Sequence, residues 1–153
     1  MKMAFARIVA VLLAASLAGP AWGQTCVVSS IGNLFGTYNP LGATAQTSAS
    51  TVSVTCQSAV AARVLYTIAL SSGGSGNFGV RGMTGLRYQL YTDAARTQIW
   101  GDGTGGTATV SEGYVLQPNV PTTRTYTVYS RLFASQRVKP GAYTDMIIAR
   151  VIY

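Results

Sequence analysis

The chain has 153 residues, two cysteines, no histidine, and eleven basic against four acidic side chains, for a formal charge of +7. Without histidine the usual general base near neutral pH is missing, and no Ser-His-Asp triad can be built. The basic residues are scattered, with only Arg137 and Lys139 close together, so they read as solvated strand faces rather than a nucleic-acid patch.

The N-terminus reads as a secretory leader. Lys2 and Arg7 precede the uncharged apolar run Ile8–Leu17, and Ala21-Trp22-Gly23 places small residues where a signal peptidase needs them. The run is too short to span a bilayer. Residues 1–23 are expected to be cleaved, leaving one domain over 24–153 with no membrane span. Export puts Cys26 and Cys56 in an oxidising compartment, where a lone pair closes on itself. The loop of about 30 residues would then contribute roughly 3.6 kcal/mol.

Beyond the leader no stretch holds apolar spacing of three and four. Short alternating runs recur between turn residues, the pattern of an all-β sandwich. Cys26–Ile31 is a brief first run. Gly32-Asn33 interrupts it and Leu34–Tyr38 resumes it, as in a strand that switches sheets at a bend. Ala45–Cys56 alternates cleanly, with Val52, Val54 and Cys56 on the apolar face. Arg63–Ser71 turns Val64, Tyr66, Ile68 and Leu70 inward. Leu86–Tyr91 follows, then a TDAAR turn at Thr92–Arg96 where Asp93 can bond the backbone. Thr97–Trp100 is a short return strand, and Gly101–Gly106 a glycine-rich loop. Thr107–Val110 and Gly113–Leu116 are weak strands, and Thr123–Phe133 is a long one.

The final stretch, Gly141–Tyr153, runs extended after the Pro140-Gly141 turn and is rich in Tyr, Ile and Val. Tyr143, Asp145, Ile147, Ala149, Val151 and Tyr153 share one side. Thr144, Met146, Ile148, Arg150 and Ile152 share the other. Both sides are largely apolar past residue 145. The stretch is either a central core strand that comes last or an edge that wants a partner; periodicity does not choose.

No constellation asks for catalysis, a cofactor or a metal. The four carboxylates lie in different elements, without the flanking pair a glycosidase needs. GDGTGG lacks the Lys-Ser/Thr ending of a P-loop, and its one carboxylate, Asp102, is too few oxygens for calcium. No zinc ligand set remains once the cysteines pair. Trp100 and nearby tyrosines could form a sugar-stacking surface, although strand spacing more often means packing.

Leu86–Thr107 (LRYQLYTDAARTQIWGDGTGGT) resembles the signature of the spore coat protein U domain, which is shared with subunits of Csu-type, archaic chaperone–usher pili. Phe35–Pro40, Arg81 two residues before Met83, Val128-Tyr129 and the terminal GAYTD…VIY agree with it. Tyr129–Phe133 departs from the Tyr-Gly-Arg-Ile-Pro often found there, which bears on a loop rather than the fold. The resemblance covers essentially the whole chain after the leader, and the cysteines fall where the family's disulfide falls. It implies an immunoglobulin-like sandwich that lacks its last strand. A periplasmic chaperone, and later the N-terminal segment of a neighbouring pilus subunit, would fill the open edge, with an outer-membrane usher as a further partner. The expected groove residues are Met146, Ile147, Ile148, Ala149, Val151 and Tyr153.

A donor strand needs about ten extended residues at roughly 3.3 Å each. With cleavage after Gly23 only Gln24 and Thr25 precede Cys26. The expectation is therefore a non-catalytic structural or adhesive subunit, terminal (tip) or minor, that accepts a strand without donating one. It would be secreted through the periplasm to the cell surface. A stand-alone secreted coat or matrix protein of the same fold, and a small carbohydrate-binding module, are the alternatives.

Overall fold

The computed structural model describes residues 23–153; the expected leader lies outside the described residues apart from Gly23. Eight strands form two antiparallel sheets: β1 (Thr25–Ser30), β2 (Gln46–Gln57), β3 (Ala62–Leu70), β4 (Arg81–Met83), β5 (Leu86–Tyr91), β6 (Val110–Leu116), β7 (Thr122–Leu132) and β8 (Ala149–Ile152). The larger sheet runs β1-β2-β7-β5-β4 and the smaller β6-β3-β8. The long strands obey the two-residue period of their sequences. Val52, Val54 and Cys56 of β2 face Val64, Tyr66, Ile68 and Leu70 of β3 across the core, all buried.

The order matches an immunoglobulin-like sandwich. β1, β2, β7 and β5 take the places of A, B, E and D, while β6, β3 and β8 take those of C′, C and F. Tyr143 adds a tyrosine corner: its hydroxyl donates to the carbonyl of Lys139, four residues upstream, across the Pro140-Gly141 turn. The free side of β8 is where strand G would lie, and no strand among the described residues occupies it. Cys26 sits directly opposite Cys56 in the β1–β2 ladder, and the two are joined as a disulfide with Cα atoms 4.1 Å apart.

Several elements differ from the sequence pattern. The extended stretch expected over Gly141–Tyr153 pairs only at Ala149–Ile152, against Thr67–Leu70 of β3. Beyond Leu70 the chain of β3 turns away into a short 3-10 turn at Gly73–Ser75, so residues 141–147 have no ladder partner. The resumed strand at Leu34–Tyr38 also makes no ladder. Thr97–Trp100 contributes only isolated bridges, Tyr91 to Ile99 and Trp100 to Ala108; of the two weak strands expected after it, Gly113–Leu116 lies within β6, whereas Thr107–Val110 joins β6 only at Val110. β4 has no counterpart in the sequence reading. It forms a hairpin with β5 through Thr84-Gly85, both at positive φ (49° and 98°), as a two-residue turn of the favoured hand requires.

Candidate functional site: an apolar groove beside the last strand

β8 pairs with β3 on one side and lies near β1 of the larger sheet. Between them lies a groove. One cavity of about 450 Å3 has Val52, Leu70, Leu90 and Val128 in its lining, with walls formed by residues 30–35 and 143–149. A second, of about 750 Å3, includes Met83, Leu86 and Leu132 and continues between residues 33–40 and 138–143. Asn33, Leu34, Phe35, Met83 and Tyr143 belong to both, so the two are one trough. Each wall is about ten residues long, roughly 33 Å if extended. Large apolar side chains stand exposed along the rims: Ile31 and Leu34 (85 %) on one wall, Met146 (79 %) on the other.

Away from Ser30 and Ala149, which end β1 and begin β8, neither wall is held by a β-ladder; hydrogen bonds from other elements, mostly through side chains, hold both. On the first wall, Asn33 accepts a hydrogen bond from the Ser130 hydroxyl (3.1 Å), the Gln46 side-chain amide donates to the Thr37 carbonyl (2.8 Å), and the Gln136 backbone N–H donates to the Tyr38 hydroxyl (2.7 Å). On the second, the Asp145 carboxylate accepts from the Tyr88 hydroxyl (2.6 Å) and from the backbone N–H of Gly74 and Met146 (both 2.8 Å). Ser71 brackets Ile148: its N–H donates to the Ile148 carbonyl and its hydroxyl accepts from the Ile148 N–H, both at 2.9 Å. The carboxylate approaches so closely that a Cβ on Gly73, itself at φ +70°, would lie 2.2 Å from Asp145 Oδ2.

Beneath this wall is a fully buried arginine. Arg81 donates from Nε and Nη2 to the Ser71 carbonyl (3.1 and 2.9 Å), from Nη2 to the Trp100 carbonyl (2.6 Å), and from Nη1 to Gln89 Oε1 (2.5 Å). Burial pulls its pKa down from the usual value, while the proximity of Tyr88 and Asp145 works the other way. Burial, reinforced by the bond to Asp145, raises the Tyr88 phenol well above the ordinary range and keeps it a donor.

Of the six expected groove residues, Met146, Ile147 and Ala149 line the trough, and Val151 packs against the core. Ile148 faces a smaller recess on the opposite side of β8, and Tyr153 is exposed. Sequence reasoning missed the facing wall. Its only signal was the broken first run that resumes at Leu34–Tyr38, which suggested a strand switching between sheets.

Two other candidate regions have structural explanations. Trp100, offered as a sugar-stacking residue, is 0 % exposed and its Nε1 donates to the Ile68 carbonyl (3.0 Å), so no face is free for a ligand. Asp102 spends Oδ1 on the N–H and hydroxyl of Thr104 (2.9 and 2.6 Å), which shapes the glycine-rich loop. Among the described residues no three His, Cys, Asp or Glu side chains cluster as a metal site would require. No helix among them is long and apolar enough to cross a membrane.

The fold and groove define an immunoglobulin-like sandwich with one strand edge bordering an apolar trough. The chain belongs to the Spore Coat Protein U domain family, whose match spans residues 11–150. Its structure is similar to the crystal structure of the CsuC–CsuE chaperone–tip adhesion subunit pre-assembly complex from archaic chaperone–usher Csu pili of Acinetobacter baumannii. The TM-score is 0.56 at 18 % identity, over 85 % of this chain and 40 % of that chain, so the likeness is one of fold. No curated protein matches.

Proposed function

We propose that this protein is a non-catalytic structural or adhesive subunit of a chaperone–usher surface pilus, and that the trough beside β8 accepts a donor strand. The observation that carries the reading is the pair of largely ladder-free walls flanking an apolar floor at the position of strand G. An extended segment laid there would hydrogen-bond to the free side of β8 and bury alternate side chains on the core. Met146, Ile147, Ala149 and Val151 would meet it most directly, with Ile148 and Tyr153 on the outer side. A periplasmic chaperone would fill the trough first and a neighbouring subunit later, with an usher mediating the exchange. Family membership and the fold likeness to a tip adhesion subunit held by its chaperone support this order of partners.

The reading also makes the chain a terminal (tip) or minor subunit, exported behind a cleaved leader at residues 1–23 and displayed at the cell surface. From Thr25 onward the N-terminal segment is engaged with β2 and anchored by the disulfide, which withholds it from a neighbour.

The test uses the mature chain and a synthetic peptide copying about the first fifteen residues of a mature companion subunit encoded beside it. The peptide should raise the melting temperature, by an amount equivalent to roughly 2.7 kcal/mol at a hundredfold excess over Kd. Ile147→Asp should remove the gain, with circular dichroism checking that the variant folds. A monodisperse monomer indifferent to peptide and chaperone would overturn the reading in favour of a stand-alone coat protein. Long homopolymers would overturn the terminal role.

A further inference from the structure

The second wall of the trough is held by hydrogen bonds at Asp145 and Ser71, with no ladder over residues 141–147. We propose that these two anchors act as a clamp that keeps the trough open and ready for a strand, with Tyr88 and Arg81 as the positioning residues behind them. This rests on the donor-strand reading above and adds to it a control on how readily the trough fills.

The argument starts from what an isolated wall would do. Met146 and Ile148 are apolar and exposed, and Ile147 is half-buried, so a free segment would lower its exposed area by folding inward over Val52, Leu70 and Val128. That collapse would close the trough. Two contacts oppose it. The Asp145 carboxylate is tied to the Tyr88 hydroxyl on β5 and to the Gly74 N–H in the turn after β3. Ile148 is tied through both backbone groups to Ser71. Both anchors are rigid. Tyr88 is a buried core residue, and the Ser71 carbonyl is gripped by two nitrogens of buried Arg81. The bonds of Asp145 are charge-assisted, which makes them stronger than neutral ones. The clamp also explains two otherwise idle sequence features, the aspartate of GAYTD and the arginine two residues before Met83.

A preorganised wall affects binding through the fraction of molecules that are competent. Releasing the clamp should slow strand association and leave dissociation unchanged, because the bonds are made before the strand arrives. A residue that instead touched the strand would change dissociation.

The experiment compares the mature protein with a Tyr88→Phe/Ser71→Ala variant, which removes one hydroxyl at each anchor and keeps the ring in the core. A Ser53→Ala variant is the control; it removes a hydroxyl bonded to Thr125 (3.0 Å) on the outer face of the larger sheet. Association and dissociation of the companion-subunit peptide are followed on immobilised protein. The double variant should associate about tenfold more slowly with an unchanged dissociation rate, and Ser53→Ala should match the parent. In the parent without peptide, the amides of Gly74 and Ile148 should be protected from hydrogen exchange. Unchanged association in the double variant, an altered dissociation rate, or unprotected Gly74 and Ile148 amides would each overturn the clamp. Failure of the parent to bind any peptide would overturn the donor-strand reading itself, so the two failures are distinct.

Discussion

Replacing Arg81 with Met tests whether a buried charge earns its place in this sandwich. Arg81 is 0 % exposed and makes its four hydrogen bonds without a carboxylate in direct contact. Met fills similar volume but donates nothing. The Ser71 and Trp100 carbonyls lose their Arg81 donors, whereas Gln89 Oε1 keeps the Leu90 N–H at 3.0 Å. Two orphaned carbonyls at about 1–3 kcal/mol each give a loss of roughly 2–6 kcal/mol. Removing a buried charge works in the opposite direction, since desolvating an ion costs several kcal/mol. All three guanidinium nitrogens are hydrogen-bonded, so the lost bonds should outweigh the relieved desolvation, leaving a net loss of up to about 3 kcal/mol. For a domain of this size that corresponds to a fall in Tm of up to about 10 °C. Urea denaturation of parent and variant, followed by tryptophan fluorescence, measures it; Trp100, whose carbonyl Arg81 holds, is a local probe. Equal or greater stability in Arg81→Met would refute the reasoning, because desolvation would then cancel the whole network.

Two further outcomes are expected. The intact mature protein should gain two hydrogens in mass on reduction, and Cys26→Ala/Cys56→Ala should lose about 3–4 kcal/mol in urea denaturation; two alkylatable thiols before reduction would refute the pairing. Stability should also fall at high pH. Burial raises the phenols of Tyr66, Tyr126 and Tyr114, the last to about 12, and Tyr66 and Tyr126 share a hydroxyl bond of 2.5 Å. Their folded pKa values lie above the unfolded value of about 10. Their contribution is therefore complete below pH 10 and lost as pH rises towards 12. A urea midpoint that stays flat from pH 9 to pH 11.5 would show that the cluster does not couple to folding.

Much of the sandwich is written locally. The alternation in Ala45–Cys56 and Arg63–Ser71 puts the same residues in the core that the structure buries, because a strand's two faces are set by a two-residue period that needs no partner. The TDAAR turn is equally local: the Asp93 carboxylate accepts from the N–H groups of Thr97 and Gln98, four and five residues on. The clean inward face of β2 also let Cys56 be placed inside before its partner was seen.

The two walls of the trough were decided elsewhere. Leu34–Tyr38 and Tyr143–Ile147 have strand-like sequences, but a ladder needs a second strand alongside, and among the described residues neither has one. Their positions depend on Ser71, Tyr88, Ser130 and Gln136, which reach them from other elements. Trp100 and Arg81 make the same point. An indole and a guanidinium look like surface chemistry in a sequence. Only the fold brings the Ile68 carbonyl to one and the Ser71 and Trp100 carbonyls to the other, satisfying their donors away from water. Side-chain period is a property of neighbours along the chain, whereas pairing and the burial of polar groups are properties of segments brought together from far apart. The sequence alone therefore determined the long strands β2 and β3 and their inward faces, and the tertiary structure decided which extended segments pair and which strand edge was left beside a groove.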